Sequence, residues 1–334
     1  MMASLHVGLS RANLVLARAT LCTCLCGLLL AKPGSSADEM DTSYSIGASR
    51  IDIHVDPGPL QVSSQDLMQW VHWAADSVTA YFGRYPVPEV RLRIIPTSGR
   101  GVRGGRTFGE KQGGSIRIHI GGETILAGLA NDWMLTHEMV HLGFPSVPEE
   151  HHWIEEGLAT YVEPIARVRA GHLDAQQMWF ELTRDLHQGL PQEDDRGLDH
   201  THTWARTYWG GALFCFLADL QIHQQTSNQK GLDDALRGIL NAGGDIRQDW
   251  TLTDALRTGD EAVGVRVLLP LYEKMKDQPY DVDLGAVWKA LGVEPSGDTV
   301  QFVDSAPMAR IREAMTYGSA GARGPTKAPA TPKG

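Results

Sequence analysis

Apolar residues recur along this chain first with a period of two and then with the period of a helix, and the change sets the expected architecture. At 50–55, Ile51, Ile53 and Val55 alternate with Arg50, Asp52 and His54, the pattern of a strand with one buried face. Between 65 and 82, Leu67, Trp70, Val71, Ala74, Val78 and Tyr81 fall at helical spacing, and Gly83 supplies a stop. A second strand is predicted over 90–95. A third is predicted over 115–120, where Ile116, Ile118 and Ile120 face one way and Arg117 and His119 the other. The segment 99–114 between them is rich in glycine but holds no P-loop, so nucleotide binding is not expected. After Glu123 the helical period returns, with Leu126, Ala130, Trp133, Met134 and Val140 near one stripe of a helix that Gly143 and Pro145 end. Beyond it lie a helix over 149–163, broken or kinked at Pro164, and further helices at 173–187, 205–224, 232–240, 251–257, 263–276 and 284–291, without an internal repeat. The fold expected is α+β: an N-terminal mixed or antiparallel sheet carrying helices over 44–143, and a mostly helical C-terminal lobe over 144–316.

The helix that follows Glu123 ends in His137-Glu138-Met139-Val140-His141, which reads H-E-x-x-H. On a helix, histidines four apart stand one turn from each other and face the same way, so two neutral imidazoles can serve one metal ion, with zinc the ion they suit. Glu138, on the neighbouring edge of that face, can take a proton from water. The chemistry implied is hydrolysis. A third ligand is needed, and a metzincin continuation would require glycine at 144 and histidine at 147, where this chain has Phe144 and Val147. A carboxylate from the next helix is the alternative. Ser146-Val147-Pro148-Glu149 has the form of a capping box opening that helix, and both Glu155 and Glu156 lie on it. Glu156 shares a stripe with Ala159, Thr160 and Glu163, and Glu155 shares one with Leu158 and Val162. His151 and His152 read better as part of the solvated helix start.

The order Trp153, Glu156, Gly157, Ala159 after the histidine motif resembles the W-x-x-E-G-x-A segment of the gluzincin peptidases, a family that includes thermolysin, aminopeptidase N-like enzymes and shorter peptidase MA-like domains. The resemblance implies Glu156 as third ligand and one Zn²⁺. Gly157, lacking a Cβ, would let its helix pack close to the metal helix. It also implies that an edge strand lines the cleft and pairs with an extended peptide, for which 115–120 with Ile116 and Ile118 is the candidate. Tyr208 and Gly211 are similar to the Y-x-x-G segment of aminopeptidase N-like enzymes, whose phenol donates to the oxyanion, although the lysine common before that glycine is Gly210 here. Thr160 and Glu163 are candidates to orient an imidazole N–H, and His200 and His202 are the next oxyanion candidates after Tyr208. The G-x-M-E-N segment that holds a substrate's free amine in the aminopeptidases is absent, with only Glu110 nearby, so an endopeptidase is favoured. A non-catalytic extracellular binding module of the same fold is the other class to consider. It would have no need of Glu138.

Composition places the protein and excludes some partners. The first 37 residues carry Arg11, Arg18 and Lys32 but no acid, then an apolar run over 19–31 and the small residues Ser35, Ser36 and Ala37, as in a secretory signal too short to anchor a bilayer. Export to the periplasm or outside the cell is expected. Cys22, Cys24 and Cys26 lie in that segment, which leaves Cys215 and no internal disulfide. Removing the segment takes 3 of the 30 basic residues and none of the 40 acids, so the formal charge goes from −10 to −13. Nucleic acid and anionic lipid are therefore poor partners, and a peptide or protein is the expected substrate. The loop 191–202, with Glu193, Asp194, Asp195 and Asp199, could favour basic substrates. The end, 317–334, is rich in Gly, Ala, Pro and Lys and reads as disordered.

Overall fold

The strand read at Ile51, Ile53 and Val55 is the second of five in a mixed sheet, each of its apolar positions fully covered. The computed structural model describes residues 36–37 and 40–319, so the signal-like segment before Ser36 and the chain after Ser319 lie outside it. The first half runs β1 (Ser36–Ala37), β2 (Met40–Ile46), β3 (Ser49–Val55), β4 (Gly58–Pro59), α1 (Ser64–Phe82), β5 (Glu89–Thr97), β6 (Val102–Glu110), β7 (Gly113–Gly121), α2 (Leu126–Ala130) and α3 (Met134–Val140). The helical half follows as α4 (His152–Arg169), α5 (Ala175–Asp185), α6 (Gly211–Gln225), α7 (Leu232–Asn241), α8 (Leu252–Val263), α9 (Leu268–Met275) and α10 (Leu284–Leu291), then the hairpin β8 (Val293–Ser296) and β9 (Thr299–Phe302), and α11 (Ala309–Tyr317). This is an α+β fold.

The sheet order is β2-β3-β5-β7-β6, with β3, β5 and β7 parallel and both outer strands antiparallel to their neighbours. Helix α1 makes the crossover from β3 to β5. Ser63 caps it by accepting from the Asp66 N–H, Gly83 ends it at φ 77°, and Leu67, Trp70, Val71, Ala74, Val78 and Tyr81 are all buried. One hydrophobic cluster runs from these residues through α4 and α6 into α9.

Several expectations change here. The strand at 115–120 is not an edge: β7 pairs with β5 on one side and β6 on the other, and Ile116 and Ile118 are 0% exposed. Burial of this kind stabilises by roughly 1.5–3 kcal/mol per side chain, and it removes both isoleucines from any substrate cleft. The edge belongs to β6, formed from the glycine-rich segment. Gly99, Gly101 and Gly104 fall at G-x-G-x-x-G spacing but lead into a strand, so no helix N-terminus faces a pyrophosphate there. The helix expected after Glu123 is two helices, because Asp132 between them turns its carboxylate onto the N–H groups of Met134 and Leu135. Pro164 does not end α4, which continues to Arg169. The backbone hydrogen bond to the Thr160 carbonyl is lost, but Tyr161, Val162, Ile165 and Ala166 are buried on either side of the proline and hold the helix in place.

Gly157 allows a close approach, but to α6 and not to α3. A Cβ on Gly157 would lie 2.2 Å from the Gly211 backbone, and one on Gly211 would lie 2.0 Å from the Trp153 carbonyl oxygen. The two glycines thus form one contact. Gly157→Ala forces α4 and α6 apart, an overpacking that costs about 1–3 kcal/mol and should lower Tm by roughly 2–6 °C. Gly128→Ala in α2, whose added Cβ would come no nearer than 3.5 Å to Thr124, should leave Tm unchanged or raise it slightly. Thermal unfolding of both variants checks the contact.

Candidate metal centre and cleft

Asp132 fixes where α3 begins. Its carboxylate accepts from Met134 N–H at 3.2 Å, Leu135 N–H at 3.1 Å and the indole N–H of Trp70 at 3.0 Å, which ties the helix start to α1. Five residues on, His137 is 4% exposed, and His141 begins the 3₁₀ turn that closes the helix. The two rings are edge to face with centroids 4.9 Å apart. From α4, Glu156 comes to meet them, with Oε2 at 3.1 Å from His137 Nε2 and 3.8 Å from His141 Nε2. One ligand atom from each of His137, His141 and Glu156 lies within 4.8 Å of the others, so the three can hold a single metal ion. The donor set fits zinc: two imidazole nitrogens and one carboxylate leave a coordination position open.

The electrostatics favour the ligating forms. Burial pushes the His141 imidazole down to about 3, which keeps it neutral with a lone pair to offer. Burial alone would raise the Glu156 carboxyl, but hydrogen bonds from His137 and His152 outweigh it and hold the group ionised, well below the usual carboxylate range. His152 Nδ1 lies 3.1 Å from Glu155 Oε2 and its Nε2 lies 3.3 Å from Glu156 Oε1, and the two carboxylates raise it to about 10. It bridges the two acids. Glu155 is further engaged by the Val147 N–H at 3.1 Å and stands outside the metal-binding group.

Glu138 is 6% exposed, and burial raises its carboxyl against the opposing pull of Thr107, His137 and Arg106. Thr107, on the edge strand β6, places its hydroxyl 2.6 Å from Glu138 Oε2 and 2.9 Å from the Glu138 carbonyl oxygen. The same strand makes room for the acid, since a Cβ on Gly105 would lie 2.6 Å from Glu138 Oε1. Sequence reasoning missed both residues. The signal was small side chains at 105, 107 and 109 in alternation, the period of a strand whose inner face is pressed on something large.

Tyr208 lies in the cleft with the metal-binding group. It sits in a π-helical turn, Arg206–Gly210, with its ring stacked 6.3 Å from that of His137. Burial, then the Glu156 carboxylate through its charge and a hydrogen bond, push the phenol up to about 12, so it is a donor at ordinary pH. The cleft, about 800 Å³, is lined by β6, α3, α4, Tyr208 and Ile246. Trp133 and Trp204 are 48% and 62% exposed. They pack on His137 and Tyr208 respectively.

Other candidates fall elsewhere. Glu163 pairs with Arg167 at 3.0 Å, Thr160 makes no side-chain hydrogen bond among the described residues, and the buried His137 Nδ1 has no protein partner, so neither residue orients an imidazole. The reason is helical geometry: Glu163 is nearly two turns beyond Glu156 and finds the guanidinium one turn further on. His200 pairs with Asp277 at 2.9 Å, and His151 with Asp199 at 3.0 Å. The loop 191–202 is not a free acidic run. Asp195 is a buried partner of Arg206, and Asp199 accepts from the Trp153 indole at 2.8 Å and the Tyr272 hydroxyl at 2.7 Å.

No protein-family model matches this sequence, and no curated protein does. Solved structures resemble it. An M1 zinc metallopeptidase from Deinococcus radiodurans is similar at a TM-score of 0.47 and 15% identity, over 73% of this chain and 52% of that one. An aminopeptidase N family protein from Idiomarina loihiensis is similar at a TM-score of 0.57 and 13% identity, over 77% of this chain and 49% of that one. The likeness to the latter is one of fold, and this chain spans about half the length of that neighbour. The chain thus has a gluzincin-like fold, with a His/Glu group able to hold a metal ion at its cleft.

Proposed function

We propose that the protein is a zinc-dependent peptidase of the gluzincin type. The observation that carries this reading is Glu138: a buried carboxylate, held by Thr107, stands beside a three-residue metal-binding group and lines the same cleft. A binding module would gain nothing from a carboxylate buried there, whose desolvation costs several kcal/mol that its hydrogen bond to Thr107 offsets only in part. Zinc held by His137, His141 and Glu156 would supply Lewis acidity, lowering the pKa of a water and polarising the scissile carbonyl. Glu138 takes the proton from the attacking water and passes it to the leaving amine. Its raised pKa brings it closer to the range where both transfers are efficient. Tyr208, still protonated, donates to the oxygen that becomes negative as the tetrahedral centre forms.

The substrate is a peptide or protein, bound as an added strand on the free edge of β6. Cleavage within the chain is favoured over removal of an N-terminal residue. Glu110, the acid of β6, is held by Arg91 on β5, which leaves that strand no carboxylate to receive a free amine. Export follows from the signal-like first 37 residues. The test is cleavage of a peptide library with free and blocked N-termini by zinc-loaded protein. Absence of hydrolysis at every position would refute the reading.

Three outcomes are expected. Purified protein holds one zinc, and Glu156→Gln weakens its retention against a chromophoric chelator more than Glu155→Gln does, since the first removes a charged ligand. Glu138→Gln keeps its zinc but loses at least ~10²-fold in hydrolysis, measured as kcat beside metal content. Tyr208→Phe lowers kcat by about 10²–10³ with KM and zinc content nearly unchanged, whereas a tyrosine that only packs would change Tm and spare turnover.

A further inference from the structure

Across the solvent face of the sheet, His54, Arg93, Arg117 and Arg106 lie in register on four neighbouring strands. Most arginines of this face are neutralised: Arg50 by Asp52 at 2.6 Å, Arg91 by Glu110, and Arg93 by Asp56 at 2.8 Å. Arg106 and Arg117 are not. Neither has a carboxylate partner among the described residues, and both guanidiniums lie over the Phe108 ring, at 5.3 and 5.4 Å from its centroid. Two like charges directly opposite on adjacent strands destabilise a sheet, and in a chain with 40 acids against 30 bases a neutralising partner would be easy to provide. Their position makes the excess charge useful. Arg106 is among the residues around the cleft, on the strand whose inner face supplies Thr107 and Gly105 to Glu138; its own side chain projects from the opposite face at the β6 edge, where it meets a substrate strand paired on that edge.

The other charged groups of the cleft are already occupied. Glu138 is held by Thr107, Glu155 by the Val147 N–H and His152, and Glu156 by His137 and His152. Glu149 stands in the turn that opens α4, where the positive end of the helix dipole offsets it. We infer that Arg106, backed by Arg117 across the Phe108 ring, forms an anion subsite beside the reaction centre, and that the substrates preferred there carry a carboxylate next to the cleaved bond. That carboxylate is either an Asp or Glu side chain or the C-terminus of a short peptide. The inference rests on the peptidase reading for its substrate, but not for the binding it describes.

The experiment uses the full chain loaded with zinc and acetylated peptides that differ only in Glu against Gln beside the cleavage site, or in a free against an amidated C-terminus. One anionic member should be cleaved with kcat/KM at least about 10-fold above its neutral twin, the size expected for a charge-assisted, bidentate contact. In Arg106→Gln that ratio should collapse towards one, mainly through KM, and in Arg106→Lys part of it should return. The pair that responds identifies the source of the carboxylate. In parallel, calorimetric binding of the same peptides is compared between Glu138→Gln and the double variant Glu138→Gln/Arg106→Gln. Binding that discriminates charge through Arg106 without any turnover would sink the peptidase reading and keep the subsite. Cleavage that ignores charge, or a ratio unaltered in Arg106→Gln, overturns the subsite and leaves the peptidase reading intact.

Discussion

Two imidazoles from one helix and a carboxylate from another must converge within 4.8 Å in a place largely closed to water, and the rest of the molecule is arranged around that requirement. The histidines are easily paired, because a four-residue step does it on any helix. Bringing in the acid is harder, since it comes from a different helix, and α3 and α4 must each be fixed by other parts of the fold. Asp132 sets the start and angle of α3 from one side through Trp70 of α1. Gly157 and Gly211 let α4 settle onto α6 from the other. On the third side Gly105 gives up its side chain so that the Glu138 carboxylate can lie against β6. Each of these is a subtraction or a local hydrogen bond, and none adds a large contact. The site is positioned by what its neighbours leave out.

Burying so many ionisable groups would be untenable without internal partners. Asp199 shows how the cost is met: a single carboxylate takes the Trp153 indole, the Tyr272 hydroxyl and His151, and so anchors the start of α4 to α9 and to the loop after α5. Further along α4, Arg169 reaches Asp233 of α7 at 2.7 Å, and Tyr161 donates to Asp219 of α6 at 2.7 Å. The helix that delivers Glu156 is therefore clamped along its length by directional bonds as well as by its apolar face. That is what a ligand helix needs, because a shift of 1 Å in its register would undo the metal geometry.

Much of this was readable in the sequence, and the rest was hidden for identifiable reasons. Spacing alone disclosed the strand at Ile51 and Ile53, helix α1 and the histidine pair. Glu156 could be told from Glu155 only by resemblance, since both lie on the same helix within reach of the same space. The edge strand was invisible because β6 is Val-Arg-Gly-Gly-Arg-Thr-Phe-Gly-Glu, with glycines where a pattern search looks for apolar residues. Those glycines record close approach. A Cβ at Gly109 would lie 2.2 Å from the Ile246 carbonyl oxygen, a contact between residues more than a hundred positions apart. Glu163 was misread for a similar reason: its place on the ligand stripe was right, but nothing local announced that Arg167 would take it.

The turn that carries Tyr208 ties these threads together. A regular helix from Ala205 into α6 would set the tyrosine about a third of a turn away from where it stands, and the π-helical turn Arg206–Gly210 supplies the extra residue that redirects it. Such a turn is intrinsically less stable than α-helix and persists only where something over-determines it. Here the buried Arg206 does so. Its Nε is 2.6 Å from Asp195 Oδ2, and its guanidinium also donates to the Gly189 carbonyl. The acidic loop 191–202 thus acts on the cleft indirectly: Asp195 holds Arg206, Arg206 holds the turn, and the turn sets the phenol beside His137 and Glu156. A buried ion pair contributes little net stability, but breaking it strands a charge. This makes the pair a device for specifying one backbone path, at the turn that sets Tyr208 beside the metal-binding group.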